Sequence, residues 1–168
     1  MSSTCNENTF SQIFKEHVSA LRNFLYYKFG NYEQAEDKTQ EAFIKLWSNC
    51  KDVPVEKAKS FLYTVAKNAS LNDIAHQKIV LEYQKTSNPN SRTNENPEFL
   101  LEQEQFHEKL MNAINTINET QRIAFLMNRI DGKKYHEIAT ELGISVKAVE
   151  KRIHLALHEI KKEIKNFR

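Results

Sequence analysis

Apolar residues recur at steps of three and four along most of the chain, and this spacing predicts a protein that is helical almost throughout. Phe10, Ile13, Phe14, Val18, Leu21, Leu25 and Phe29 trace one apolar face of a first helix, which Gly30 ends. A second helix over 32–48 offers Ala35, Ala42, Phe43, Leu46 and Trp47 for burial, while Glu36, Asp37, Gln40, Glu41 and Lys45 lie on its other face. Pro54 marks a break, and a third helix is expected over 56–83. It turns Phe61, Leu62, Val65, Ala66, Ala69 and Ile74 inward and leaves Lys59, Tyr63, Thr64, Lys67, Asn68, Asn72, His76 and Lys78 outside. Further on, Leu101, Leu110, Ala113, Ile114 and Ile117 mark a helix over 98–117, and Ile123, Ala124 and Met127 another over 120–130.

The most informative pattern is the stretch 132–153, which reads as helix, tight turn, helix. Ile138, Ala139 and Leu142 share helical spacing, and Ala139 is small enough to admit a close helix crossing. Gly143 stands where the chain must reverse, a position that favours positive φ. Ile144 fills the corner, Ser145 is a good N-cap, and Val149 and Ile153 face inward from the second helix. Lys147, Glu150, Lys151, Arg152 and His154 remain outside. This is helix-turn-helix geometry, whose second helix lies in the major groove of DNA, although the same geometry also serves purely structural ends.

Between the helical stretches, residues 86–97 are rich in Asn, Ser, Thr and Pro and hold no aliphatic residue. The segment reads as an exposed linker, so the expected architecture is all-α, with two small helical domains joined by a flexible linker. The expected bounds are 1–85, 86–98 and 99–168, with the helix-turn-helix in the last part.

Composition agrees with helices: there are only three Gly and three Pro in 168 residues, and Gly30, Gly132 and Gly143 all fall where helices should end. No apolar run approaches the roughly 20 residues a bilayer requires, and the polar N-terminus lacks a signal-peptide core. Cys5 and Cys50 show no metal-ligand or redox spacing, so free thiols in a reducing cytoplasm are expected. The net charge of +2 is modest, but the span 131–168 holds nine Lys/Arg against six Asp/Glu. DNA affinity would therefore come from locally clustered charge. The outer face of the third helix mixes basic, amide and aromatic groups, which suits single-stranded nucleic acid, but composition alone favours an ordinary solvated surface.

Enzymatic chemistry finds little footing. His136-Glu137 lacks the second histidine of a zinc-protease signature, since Thr140 stands there. His154 and His158 are four apart but have no third ligand in reach, and no nucleophile–base arrangement or Gly-rich phosphate loop is apparent. No metal or cofactor site and no enzyme activity is expected.

Three motifs, in order across the linker, resemble those of bacterial RNA polymerase sigma factors of the extracytoplasmic-function group, in the sigma-70 family. Residues 35–47 resemble the group's "AEDxxQExFxxLW" helix, and residues 60–68 resemble its "WLYxIAxN" helix. Residues 117–122 stand where the group has "LPxxxR", and the helix-turn-helix matches the part that reads the −35 element. The resemblance implies that Asp37, Gln40, Glu41, Phe43, Ile44 and Trp47 bind the β′ clamp helices of core polymerase. Of these, Asp37, Gln40, Glu41 and Ile44 share a helix face by spacing, and Phe43 and Trp47 are also candidates for the core.

It further implies that Lys59, Tyr63, Thr64, Lys67, Asn68 and Asn72 face the melted −10 strand, with Tyr63 also able to pack inside. The loop 51–59 would receive a flipped base, though with Pro54 and Val55 and no aromatic it forms no clear pocket. Lys147, Glu150, Lys151, Arg152 and His154 would face the −35 element. Group members often carry arginine at the positions of Glu150 and Leu155, so weakened −35 reading and a DNA-bound recruiting partner are expected here. The implied partners are core RNA polymerase (β′ clamp helices and β subunit), promoter DNA both duplex and melted, and an anti-sigma factor, in the cytoplasm and without membrane insertion. Two other classes stay open: a stand-alone helix-turn-helix transcriptional regulator, and an adaptor that holds polymerase without reading DNA.

Overall fold

The computed structural model describes residues 3–70, 79–80 and 97–165. Asn72, Ile74, His76, Lys78 and residues 86–96 of the expected linker lie outside the described residues. Among the described residues there are seven helices and no strand, and no helix is long and apolar enough to cross a membrane.

The N-terminal half is a three-helix unit of α1 (Glu7–Phe29), α2 (Tyr32–Ser48) and α3 (Val55–Asn68). Asn6 caps α1 by accepting from the amides of Asn8 and Thr9. At its other end Gly30 takes φ 71 and donates its N–H to the Tyr26 carbonyl at 2.7 Å. The chain reverses there, and the Asn31 side chain starts α2 by accepting from the Gln34 amide. α1 and α2 therefore run antiparallel, with Leu21, Leu25, Ala35, Ala42, Leu46 and Leu62 fully buried.

The antiparallel pairing overturns the expectation of free thiols. The start of α1 meets the end of α2, and Cys5 and Cys50 are joined in a disulfide with Cα atoms 5.0 Å apart. Beside it, the Thr4 hydroxyl donates to the Val53 carbonyl at 2.7 Å in a buried bond. A second correction concerns α3, which ends at Asn68 rather than at 83. Ala69 is extended (φ −68, ψ 139), and the Lys28 ammonium of α1 donates to the carbonyls of Ala66, Lys67 and Ala69. Those carbonyls would otherwise need a further helical turn or water. Burial lowers the Lys28 pKa.

The C-terminal half comprises α4 (Pro97–Thr116), α5 (Glu119–Arg129), α6 (Tyr135–Leu142) and α7 (Val146–Glu163). Its short α5 lies between α1 on one side and α6 and α7 on the other. Consequently Ile123, Ala124, Phe125, Leu126 and Met127 are all buried, not only the stripe that the spacing picks out. Fully burying an apolar side chain of the Leu126 or Met127 class contributes about 1.5–3 kcal/mol. This central helix thus joins the cores of the two halves into one cluster. The turn between α6 and α7 follows expectation. Gly143 has φ 67, and the Ile144 amide reaches back to the Ala139 carbonyl at 3.0 Å. Ser145 caps α7 by accepting from the Ala148 amide at 3.1 Å.

Candidate nucleic-acid interface

Three helices present the residues that the sequence nominates. On α2, Asp37, Gln40, Glu41 and Ile44 are exposed along one face, with Ile44 64% accessible. Lys38 lies within 3.4 Å of Glu41. Trp47 is 42% exposed and stands edge-on against Phe10 at 5.0 Å. Phe43 is different: it is buried, with its ring 4.8 Å from that of Phe14 and 6.3 Å from that of Phe10. Its nomination as a polymerase contact is corrected, because helical spacing turns it into the α1–α2 core, and it supports the face from beneath.

On α3, Thr64 and Asn68 are exposed one turn apart. The Thr64 hydroxyl donates to the Ser60 carbonyl at 2.9 Å, which leaves its oxygen free to accept. Tyr63 is 2% exposed, with its ring 5.6 Å from that of Phe24 and its hydroxyl 3.3 Å from the Lys133 ammonium. It is therefore corrected from a strand-facing residue to a core residue. Burial is the main cause that pushes the Tyr63 phenol up, with Glu141 next. Asn72 falls outside the described residues.

Between α2 and α3 runs a cleft of about 300 Å³ lined by Lys38, Glu41, Lys45, Thr64, Val65, Asn68, Ala69 and Ser70. This is the lower end of the size range of small-ligand pockets. Lys38 is paired with Glu41 in the cleft wall, so Lys45 supplies its net positive charge, and Thr64 and Asn68 give it hydrogen-bonding groups. Neither lysine was nominated by sequence: Lys45 sits on what reads as the solvated face of α2, and Lys38 carries no motif of its own.

On α7, Lys147, Glu150, Lys151 and His154 are exposed together, whereas Arg152 is half-buried at the flank. Val149, Ile153, Ala156 and Ile160 form the inward stripe. Leu155 is 37% exposed, so an apolar residue does occupy part of the outer surface. At the start of α6 the Lys134 amide donates to the Glu137 carboxylate at 2.7 Å. That backbone bond lowers the Glu137 pKa.

A polar seam joins the two halves, and most of its residues were not nominated. Arg122, in the stretch resembling "LPxxxR", donates from Nε and Nη2 to the carbonyls of Tyr27 and Lys28, at 2.9 and 3.1 Å. It thereby closes the C-terminal end of α1 with a cation, where the helix dipole favours one. Asp131 Oδ1 accepts from Tyr27 Oη at 2.7 Å and Asn23 Nδ2 at 3.1 Å, while its Oδ2 is buried without a hydrogen-bond partner. Burial raises the Asp131 pKa against the lowering effect of those hydrogen bonds. Glu141, its side chain only 3% exposed, pairs with Lys133 at 2.6 Å and with Lys59 at 2.8 Å. Lys67 Nζ donates to the Leu142 carbonyl at 3.0 Å. One signal could have found Glu141: it lies three residues after Ile138, on the stripe that turns inward.

Residues 13–79 match the family model described as Sigma-70 region 2, and residues 107–160 match the one described as Sigma-70, region 4. The chain belongs to the sigma-70 family. Its relatives within that family include the ferric citrate uptake sigma factor FecI of Escherichia coli, 27% identical over 89% of this chain and 87% of that one. RNA polymerase sigma factor YlaC of Bacillus subtilis is 22% identical over 97% and 96%. ECF RNA polymerase sigma factor SigE of Mycolicibacterium smegmatis is 22% identical over 91% of this chain, which spans 60% of that protein's length.

Among solved structures, the fold is similar to that of the sigma factor RpoE in complex with the anti-sigma factor NepR from Bartonella quintana. The TM-score is 0.62 at 16% identity, covering 95% of this chain and 98% of that one. CnrH in complex with the cytosolic domain of CnrY follows with a TM-score of 0.56, also at 16% identity, covering 97% and 92%. The sigma-70 fold therefore carries the exposed α2 face, the α2–α3 cleft and the helix-turn-helix described above.

Proposed function

We propose that this chain is a sigma factor of the extracytoplasmic-function group, a dissociable subunit that binds core RNA polymerase and directs promoter recognition, DNA opening and initiation. The observation that carries this reading is the order of the two sigma-70 regions along one chain. In our reading, residues 1–85 bind the polymerase and the −10 element, residues 86–98 link, and residues 99–168 read the −35 element and touch the polymerase β subunit. Asp37, Gln40 and Glu41 meet basic residues of the β′ clamp, and Ile44 and Trp47 add apolar area beside them. Thr64, Asn68, Lys59, Lys67 and Asn72 serve the melted −10 strand, and the α2–α3 cleft supplies Lys38 and Lys45 at its rim.

The work is done by binding energy. Extruding a base from the duplex costs a few kcal/mol, offset by stacking and hydrogen bonds to the base edge. On α7, Lys147, Lys151 and His154 approach the −35 duplex, with Glu150 and Leu155 placing an acidic and an apolar group where group members often carry arginine. A bidentate arginine–guanine contact is worth about 1–3 kcal/mol of discrimination, so we assign this chain weak −35 reading and a DNA-bound recruiting partner. The solved sigma factor RpoE is in complex with the anti-sigma factor NepR, and we place an anti-sigma factor among the partners here, in the cytoplasm.

Charge reversal tests the reading directly. Asp37→Lys with Glu41→Lys should abolish binding to purified core polymerase while circular dichroism stays unchanged. Retained core binding by a folded double variant would exclude the α2 face as the interface. A stand-alone regulator would instead bind a specific duplex without polymerase.

A further inference from the structure

Cys5 and Cys50 are the chain's only cysteines, and their bond lies beside two of the proposed working surfaces. Cys5 stands one residue before the Asn6 cap of α1, and Cys50 stands two residues past the end of α2. Three residues before Cys50 is Trp47, 42% exposed, whose ring stands edge-on to Phe10 near the start of α1 at 5.0 Å. Three residues after it is Val53, whose carbonyl accepts the buried hydrogen bond from Thr4. The disulfide therefore ties the start of α1 to the aromatic edge of the α2 face and to the turn that leads into α3.

The pairing of α1 with α2 does not depend on this bond alone. Leu21, Leu25, Ala35, Ala42 and Leu46 are fully buried, and the reversal at Gly30 and Asn31 is capped on both sides. The turn after α2 also keeps bonds of its own. The Cys50 amide donates to the Trp47 carbonyl at 3.2 Å, and the Val53 amide donates to the Asn49 carbonyl at 3.1 Å. Both cysteines are partly exposed, so a small thiol or a small disulfide can reach either sulfur. In a reducing cytoplasm a disulfide is rare, and one that forms there is usually transient or redox-sensing.

We propose that Cys5 and Cys50 form a reversible oxidation site, closed by a low-molecular-weight disulfide and opened by a thiol, that sets how firmly Trp47 and the turn 49–53 are held. The inference rests on the sigma reading for the compartment and for what the Trp47 face binds, but not for the chemistry of the site. Closing takes two exchanges. One cysteine thiolate attacks the small disulfide, forms a mixed disulfide and releases one small thiolate. The other cysteine then attacks the protein sulfur of that mixed disulfide and releases the second. Two electrons pass to the small disulfide, and the two cysteine protons end on the two thiols it becomes. Opening is the reverse, with the small thiol as reductant.

Reduction leaves residues 3–6 tethered to the turn by the Thr4–Val53 hydrogen bond without its covalent partner. Phe10 is then held less firmly against Trp47, and the ring gains solvent. A partner that needs the held face binds the reduced chain more weakly, by the share of molecules in which the face is formed.

The test equilibrates the full chain in glutathione buffers from strongly reducing to strongly oxidising, with free thiols counted by alkylation and mass spectrometry. The chain should pass from two free thiols to none within the series. Trp47 is the only tryptophan, so its fluorescence reports on this site alone. Acrylamide quenching should be stronger in the reduced chain, and reoxidation should restore the weaker quenching. Cys5→Ser and Cys50→Ser should each quench like the reduced chain in every buffer, with circular dichroism unchanged. Core polymerase should bind the oxidised chain about fivefold more tightly, as expected for a reduced face formed about one-fifth of the time.

The proposal is overturned if the thiols stay paired, or stay free, across the whole series. Loss of the helical signal on reduction would also sink it, because the bond would then hold the fold and not the face. It fails as well if quenching is the same in both states, if the serine variants still follow the buffer, or if core binds both states equally. Absence of core binding in either state, with thiols and quenching still responding, would strike the sigma reading and leave the redox site standing.

Discussion

The two helices proposed to face DNA, α3 and α7, are in opposite states. α7 shows Lys147, Lys151 and His154 to solvent, and its inward stripe is its own half's core. On α3, Lys59 and Lys67 bond to α6 while Lys57 stays exposed, and the aromatic at its centre, Tyr63, is buried against Phe24 and Lys133. An amphipathic pattern gives a helix's faces but not what will cover them. For α7 the covering is local, supplied by the neighbouring helices of one motif. For α3 it comes from residues some 75 positions away, as in the bond from Lys67 to Leu142.

The contrast can be broken most strongly at Tyr63. Truncating a buried aromatic costs about 3–5 kcal/mol, so Tyr63→Ala should lower stability by that order in a denaturant melt. Thr64→Ala, one position along on the exposed face, should leave the melt nearly unchanged. Equal effects from the two would mean that α3 is not one-sided.

Next in size is the disulfide, which staples only the N-terminal half. Closing a loop between cysteines 45 positions apart restricts the unfolded chain, and a stabilisation of about 2–4 kcal/mol is typical. Reduction, or Cys50→Ser, should lower the melting point of the α1–α3 unit while hydrogen exchange in α7 changes far less. Unchanged stability on reduction would show that the bridge does not form in solution.

On α7 itself, Glu150→Arg should strengthen duplex binding by the polymerase-bound protein by about 1–3 kcal/mol if a guanine is presented there, visible as stronger −35 protection in footprints. No gain would place Glu150 away from the base edges.

The smallest effect is at Asp131. Its folded pKa is raised above the ordinary value of 3.8, chiefly by burial, so the folded chain takes up a proton at higher pH than the unfolded one. Its ionised carboxylate therefore opposes folding at neutral pH, and that opposition fades as pH falls through the raised pKa. Acidification toward that range should reduce this destabilisation by about 1 kcal/mol or less, since the residue is only half-buried. Asp131→Asn should remove this dependence. Comparing the two proteins at each pH isolates Asp131 from His17, whose pKa is lowered by burial first and by Lys59 next. Identical pH profiles would rule Asp131 out as the source.

How much of this was legible in the sequence depends on the range of the interaction involved. The turn at Gly143 and the cap at Ser145 were readable because their chemistry is complete within a few residues. The exposed face of α2 was readable because period and charge agree from Asp37 to Ile44. Phe125 and Leu126 were missed because α5 is covered on both sides, which a one-sided stripe cannot announce. The early end of α3 was missed because the group that satisfies its carbonyls, Lys28, belongs to another helix. Cys5 and Cys50 carry no local motif, and only the antiparallel course of α1 and α2 brings them together. The seam through Asp131 and Glu141 is wholly tertiary, although a glutamate on the inward stripe of α6 is a hint in retrospect.

The central claim is that this chain directs a polymerase to promoters. Purified core RNA polymerase, supplied with the chain and a library of genomic fragments, should yield discrete transcription start sites that vanish without the chain and with the Asp37→Lys, Glu41→Lys variant. Absence of any chain-dependent start site, or start sites unaffected by that variant, would contradict the account.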